Sequence, residues 1–396
     1  MKISDRLLNI EYALVQAFCW MGFCVCMSFA AVFLQGRGYS NSALGLILAI
    51  GNISGFLIAP NLASMVDKSG GTTVFHCLWA LIGVQLILLF SFTRLGSASL
   101  GLSVLYCLYI AFNAVVNTMN TQLSFALGGW SGRINYSAAR GCGSLAYSAV
   151  ALAIGVLVQR LGANVLPLIG IGFTLLQCLM LAVLTLQSRG SSAENFDTLA
   201  EKEQARSLGV FIRENPRFCR LLIGMGLIFF SHNLANNFLI NIVRNVGGDA
   251  GVMGGLNGFA AFMEIPFMLL YVVIARKIRC ASILRFSVIM FTVKALCMAL
   301  APSVPWLFAT QLLQGLSYAL LTPASVQYTS LVVGPRDSTK GQALTYGMTT
   351  LGSALAGGLG GMLYDSMAVR SVLLIGAGIS ALGAAVCEMG VDGKRA

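Results

Sequence analysis

The sequence predicts an all-α membrane protein, with twelve spanning helices in two six-helix halves related by pseudo-symmetry, and three observations predict it. Of the 396 residues 57% are hydrophobic and only 10% charged, a balance too apolar for a water-soluble fold of this length. Apolar stretches of the ~20 residues needed to cross a bilayer recur all along the chain. One long polar stretch, Ser188 to Arg217, divides them six from six.

Taken in order, the first six spans run from Tyr12 to Leu34, Ser42 to Val66, Thr73 to Phe92, Ala98 to Leu123, Ala139 to Val158 and Asn164 to Leu186. The second six run from Leu221 to Val243, Gly251 to Ala275, Ile283 to Ala301, Trp306 to Val333, Gln342 to Tyr364 and Ser371 to Cys387. A transmembrane barrel would instead alternate apolar and polar residues in segments of ~10, and these stretches are longer and continuous. The first is of full spanning length with no small-residue cleavage site before a soluble domain, so it is expected to stay as an anchor rather than be removed as a signal. The resulting division is an N-terminal bundle at 1–187, a cytoplasmic linker at 188–217 and a C-terminal bundle at 218–396.

The two halves show weak self-similarity. Gly51 and Pro60 of the second span return as Asn257 and Pro266 of the eighth, 206 residues later, and Gly143-Ser144 returns as Gly352-Ser353, 209 residues later. Both offsets fit a duplicated six-helix unit, whose substrate site lies between the halves near the midplane. The 44 glycines, several in small-xxx-small runs such as Gly352, Gly357, Gly360 and Gly361, let helix backbones approach closely.

Lys and Arg in the short connections set the orientation. With both termini cytoplasmic, the inner segments collect nearly all of them, including Lys2, Arg6, Lys68, Arg133, Arg276, Lys277, Arg279 and Arg336, while the outer ones hold Arg37, Arg94, Arg160, Arg244 and Arg370. The net charge of +11 then follows from topology and anionic lipid, and no nucleic-acid partner is needed to explain it. Eleven cysteines, mostly within spans, show no zinc-like spacing and read as small buried hydrophobes. Neither a metal nor a cofactor is expected. An enzyme is not expected either, because with only two histidines the chain lacks a convergent set of catalytic groups.

Polar residues inside spans normally face the bundle interior or a wet cavity. Asn113, Asn117 and Asn120 share one face of the fourth span. The seventh holds His232 with Asn236 and Asn233 with Asn237 at four-residue spacing, the tenth adds Gln311, Gln314 and Tyr318, and the eleventh adds Thr345, Thr349 and Ser353. Amides both donate and accept, which suits a hydroxyl-rich solute; the same groups can equally serve as bonds between helices. The ionisable groups within spans are Arg140, His232, Glu264 and Lys294. Glu264 is a candidate proton carrier, with Lys294 either its functional counter-charge or its partner in a static ion pair. His232 titrates nearest neutrality, or simply donates a hydrogen bond. Arg140 can snorkel to the interface, or present a guanidinium fork to solute hydroxyls or an anionic group.

Two motifs carry a family resemblance. Ala63-Ser64-Met65-Val66-Asp67-Lys68-Ser69-Gly70 resembles the major facilitator signature G-x-x-x-D-R/K-x-G, with Ala63 in place of the first Gly. Tyr136 to Tyr147, containing Arg140-Gly141-Cys142-Gly143-Ser144, resembles the fifth-helix R-x-x-G-S-x-G-aromatic pattern of the branch that includes lactose-permease-like, nucleoside-proton-symporter-like and phenylpropionate-permease-like proteins; Ala146 departs from its Gly. Glu264-Ile265-Pro266 and Lys294 also resemble that branch. The resemblance implies a major facilitator fold, gating by Asp67 and Lys68, and solute binding by Arg140 and Tyr147, with Asn117, Asn120, Asn233, Asn236, Gln311 and Gln314 as further candidates. Gln314, Ser317 and Gln122 stand where lactose permease has its charged relay and substrate residues, so galactoside specificity is not carried over.

The expectation is therefore a monomeric, multi-pass secondary transporter of the cytoplasmic membrane. It would import a polar organic solute, a sugar or nucleoside, together with a proton through Glu264, Lys294 and His232. No G-x-x-x-x-G-K-S/T loop for ATP is present, so any active transport draws on a gradient. The alternatives are an organic-acid permease, which the basic residues in the core would suit, and an efflux antiporter, which the lack of the antiporters' Gly-Pro motif in the fifth span argues against.

Overall fold

The computed structural model describes residues 5–67, 71–127, 134–188 and 208–392; the side chains of some helical residues, Asp67 among them, lie outside that description. Every regular element among the described residues is helical. The order is α1 Asp5–Phe23, α2 Ala30–Gly36, α3 Asn41–Asp67, α4 Gly71–Arg94, α5 Leu100–Ala126, α6 Tyr136–Leu161 and α7 Leu166–Ser188. There follow α8 Leu208–Glu214, α9 Pro216–Asn236, α10 Leu239–Asn245, α11 Ala250–Ile274, α12 Cys280–Ala299, α13 Val304–Gln314, α14 Leu320–Ser366 and α15 Val369–Gly390.

These elements make the twelve predicted spans. Ten are long and apolar enough on their own, among the described residues. The other two come from α13 and α14, because α14 is broken at Gly334, whose φ of 76° leaves the helical region, a conformation glycine adopts without a Cβ penalty. Helix α13 and the start of α14 thus form the tenth span, and the rest of α14 is the eleventh. Two spans also contain a π-helical turn, Cys24–Ser28 after α1 and Gly315–Ala319 between α13 and α14. Large apolar side chains lie outward on many helices, with Leu100 81% and Leu269 70% exposed. In water such a surface would drive aggregation, whereas a bilayer solvates it.

Helix boundaries follow local chemistry. Asn135 accepts from the Ala138 amide at 3.0 Å to open α6, and Asp249 accepts from the Val252 amide at 3.0 Å to open α11, both as N-caps that satisfy an orphan donor. Pro216 opens α9, where its missing N–H is no loss. The stretch read as a polar linker is helical at its C-terminal end, since α8 begins at Leu208; its residues 189–207 lie outside the described residues.

The fold groups into two units, Met1–Tyr39 with Ile50–Leu199, and Ser40–Ala49 with Ala200–Ala396. In the first, Tyr12, Val15, Leu78, Val115, Met119, Leu123, Leu181 and Leu184 form a core among α1, α4, α5 and α7. In the second, Phe211, Phe218, Met225, Ile228, Phe291, Leu321 and Tyr328 do the same among α8, α9, α12 and α14.

The duplication read from the sequence has a counterpart in three dimensions. A Cβ on Gly143 of α6 would lie 3.5 Å from the Gln16 carbonyl oxygen and 2.7 Å from Cδ1 of Trp20, both on α1. A Cβ on Gly352 of α14 would run into the Gly226 carbonyl and lie 3.1 Å from the Phe230 amide, both on α9. Gly226 and Phe230 each stand 210 residues after Gln16 and Trp20. The two halves therefore use the same glycine to bring the same pair of helices together, as close helix contact in a bilayer requires.

The second unit includes the first turns of α3. Gly357 and Gly361 of α14 lie against Gly45 and Asn41, leaving no room for a Cβ. Beyond them, the exposed carboxylate of Asp365 accepts four hydrogen bonds from the start of α3. Its Oδ1 takes the Asn41 amide at 3.0 Å and the Asn41 Nδ2 at 2.9 Å, and its Oδ2 takes the Ser42 amide at 2.8 Å and the Ser42 hydroxyl at 2.6 Å. Asn241 of α10 donates to Asn41 Oδ1 at 2.7 Å.

Candidate functional site

Each unit holds a polar cluster within its spans. In the first, Arg140 lies in the second turn of α6 and donates through Nη1 to Ser144 Oγ at 2.8 Å, a pairing that four-residue helical spacing produces. Its guanidinium carbon lies 3.7 Å from the centre of the Trp20 ring, well inside the ~6 Å range of a cation–π contact. Phe23 continues the aromatic surface, 5.1 Å from Trp20 and 6.5 Å from Tyr147 between ring centres. Tyr147 shares a 2.8 Å hydrogen bond with Ser28, which the π-turn after α1 presents to it. The cluster offers a forked cation, three hydroxyls and aromatic faces, groups able to bind a ring bearing hydroxyls.

The asparagine stripe of α5 faces α1. Asn117 donates to the carbonyl and side-chain oxygens of Asn113 at 3.1 and 3.2 Å, and its Oδ1 accepts from the Cys19 thiol at 3.7 Å. Asn120 is 1% exposed, and its backbone carbonyl accepts from the Tyr12 hydroxyl at 2.9 Å. Of the stripe's side chains Asn117 thus bonds to α1, through Cys19, while the Asn120 side-chain amide is buried without a hydrogen-bond partner among the described residues.

In the second unit the ionisable residues converge. Lys294, 4% exposed on α12, donates to Oε1 of Gln314 on α13. The Nε2 of Gln314 donates in turn to Glu264 Oε1 on α11 at 2.8 Å. The expected direct pair of Glu264 and Lys294 is therefore a chain with a neutral amide in the middle. An uncharged amide can accept from an ammonium through its oxygen and donate to a carboxylate through its nitrogen at once. His232 Nε2 lies 2.9 Å from Asn236 Nδ2, at the predicted four-residue spacing. Its ring stacks on Tyr318 at 5.6 Å and meets the Phe291 edge at 5.2 Å. Asn233 reaches Ser353 Oγ at 2.7 Å rather than the side chain of Asn237. Gln311 is buried and lies 3.4 Å from Thr310 Oγ1. A cavity of about 20 Å³ opens beside Ser231, His232, Asn236, Phe291 and Lys294. That is room for about one water and too little for an organic solute.

Of the motif residues, Lys68 lies outside the described residues, and Asp67 ends α3 with its side chain outside them. Trp20 and Ser28 were missed by sequence reasoning. Trp20 sits four residues after Gln16, on the same face of α1, and that spacing was the available signal.

Twelve spanning helices in two duplicated halves, with polar and ionisable clusters held inside the spans, define a multi-pass membrane transporter of the major facilitator superfamily, not an enzyme. The chain belongs to the MFS_1 like family, which it matches over residues 10–375. It is similar in fold to the crystal structure of a mutant of the nucleoside transporter NupG, with a TM-score of 0.78 at 14% identity over 98% of this chain and 100% of that one. It also resembles a bacterial homolog of the human lysosomal transporter Spinster in an inward-facing, unoccupied conformation, with a TM-score of 0.67 at 16% identity over 100% of this chain and 93% of that one. A curated relative from Deinococcus radiodurans, named "Putative sugar efflux transporter", is 27% identical over 156 residues, 39% of this chain and 38% of that protein. The chain thus spans about four tenths of the length of that relative.

Proposed function

We propose that the protein imports a polar organic solute, a sugar or nucleoside, together with a proton, by alternating access across the cytoplasmic membrane. The observation that carries the reading is the chain Lys294–Gln314–Glu264 within the spans, with Lys294 and Gln314 buried and Glu264 half-buried. A carboxyl in a span is costly unless it has work or a partner, and here it is tied to a cation through a group that transmits but does not neutralise. Glu264 accepts the proton with the solute on one side and releases it on the other. Lys294 stabilises the carboxylate in between, and the small cavity beside His232 and Asn236 gives a proton access. Arg140 and Tyr147, with Asn233 and Asn236, bind the solute's hydroxyl groups. The bundles are 1–187 and 218–396, both termini are cytoplasmic, the chain works as a monomer, and Asp67 and Lys68 gate it from the inner side.

The test is uptake into proteoliposomes of a panel of labelled sugars, nucleosides and aromatic acids under an imposed proton gradient. Glu264→Gln is expected to abolish gradient-driven accumulation of the transported solute while exchange of labelled for unlabelled solute persists. Accumulation that survives the substitution sinks the carrier role of Glu264. Efflux is the second reading, favoured by the name of the Deinococcus relative; it predicts that the same gradient empties preloaded vesicles instead of filling them.

A further inference from the structure

We propose that Trp20 is a positioning residue for the solute site: seated in the notch that Gly143 leaves on α6, its indole holds the Arg140 guanidinium in place for the solute. The inference rests on the reading that Arg140 binds the solute, and it assigns a role to a residue on a different helix.

Three contacts make one arrangement. The Arg140 guanidinium carbon stands 3.7 Å from the centre of the Trp20 ring. Nη1 of Arg140 is tied to Ser144 at 2.8 Å. The Trp20 ring can come this close to α6 only because residue 143 is glycine, since a Cβ there would lie 2.7 Å from its Cδ1 and 3.3 Å from its Cγ. A long, flexible arginine otherwise samples many rotamers, and fixing it on binding would weaken affinity. Here the indole face and the Ser144 hydroxyl fix it beforehand. Ser144 takes one of the five donors of the planar fork, and the fork can serve hydroxyls with the rest. The Arg140-x-x-Gly143-Ser144 spacing then has a physical meaning. The glycine admits the ring, the ring and the serine hold the arginine, and all three lie within one turn and a half of helix.

The first measurement does not depend on transport. Purified protein in lipid nanodiscs is treated with phenylglyoxal, which modifies accessible guanidinium groups, and the modification rate of Arg140 is read by peptide mass spectrometry. Trp20→Leu and Gly143→Ala are expected to accelerate modification several-fold, whereas Trp20→Phe, which keeps an aromatic face, stays within about twofold of wild type. Unchanged rates in both Trp20→Leu and Gly143→Ala overturn the proposal; if Trp20→Leu fails to fold, as judged by its melting curve, Gly143→Ala decides alone.

The second measurement is solute exchange in proteoliposomes. Trp20→Leu should raise the half-saturation concentration by about tenfold, the size expected from losing a desolvated cation–π contact, with the maximal rate little changed. In an Arg140→Gln background the same substitution should have almost no further effect. An effect as large in that background as in wild type assigns Trp20 to general helix contact and overturns the positioning role. If no solute on the panel exchanges, the transport reading fails by itself, and the labelling result still decides the role of Trp20.

Discussion

Replacing Asp365 by Ala removes the acceptor for four donors at the start of α3, two of them backbone amides that the helix itself cannot satisfy. Losing an N-terminal cap of this kind costs about 0.5–2 kcal/mol, and losing the negative charge beside the positive end of the helix dipole costs a further ~0.3–1 kcal/mol. Because Asp365 is exposed, solvent screens the charge and the lower ends of both ranges apply. The sum is about 1 kcal/mol, a factor of roughly 5 in the equilibrium for local opening. Hydrogen exchange of the peptide that begins at Asn41 is the assay, and Asp365→Ala should exchange faster by that factor. Asp365→Asn keeps one acceptor oxygen and should fall between. Partial burial alone would raise the Asp365 pKa, but hydrogen bonds from Ser42 and then Asn41 outweigh it and hold the carboxyl below its ordinary value of 3.8. A depressed pKa stabilises the bonded state at every pH above that ordinary value, and the contribution is lost as pH falls through the lowered one. Protection should therefore be level from neutrality down to about pH 5 and decline only in stronger acid. Exchange at Asn41 and Ser42 that is the same in Asp365→Ala and wild type, or protection that disappears near pH 6, refutes the reasoning.

Two further substitutions separate bonding from bulk. Gln314→Leu keeps the volume of the middle link but removes the acceptor of the buried Lys294 ammonium and one donor to Glu264; thermal unfolding in detergent should report a loss of about 1–3 kcal/mol for the ammonium, and a melting temperature equal to wild type would show that the chain contributes nothing to stability. Gly352→Leu forces a side chain into the Gly226 backbone, and overfilling a close contact costs about 1–3 kcal/mol or more. The matching change at Gly143 meets a side chain that can move rather than a backbone that cannot, so it should lower the melting temperature less.

The spans were legible because the bilayer sets a minimum apolar length of ~20 residues for each of them, which ten meet as single helices among the described residues and the tenth and eleventh spans meet across α13 and α14. Their internal breaks were not. Nothing in the composition of Cys24–Ser28 or Gly315–Ala319 announces a π-turn, which depends on how neighbouring helices satisfy the backbone. Helix α8 hid within a polar stretch because a seven-residue helix leaves too short a periodic trace. At the site, the four-residue pairing of His232 with Asn236 and of Arg140 with Ser144 could be read along the chain, since helical spacing alone brings such residues together. Contacts made across the fold could not. Asp365 and Asn41 are 324 residues apart, and no local pattern links them. Gln314 looked like one more amide until α11 and α12 were seen to flank it. Trp20 was passed over because attention to polar residues in spans leaves aromatic ones to be counted as lipid-facing bulk.

The two π-turns also bear on how relatives of this protein are to be compared. A π-turn is one residue more than the α-helix around it would hold, and so, against a relative whose span is an uninterrupted helix, it counts as one additional residue inside a spanning segment. Every position beyond Cys24–Ser28 in the first span, and beyond Gly315–Ala319 in the tenth, is turned by about 100° from where an uninterrupted helix would put it. An alignment that runs through these segments without a gap will mismatch Ser28 and everything after it until the next loop, and will do the same after Tyr318. Placing one gap at each turn restores the correspondence, and a family member lacking the extra residue should present a different side chain to its counterpart of Tyr147.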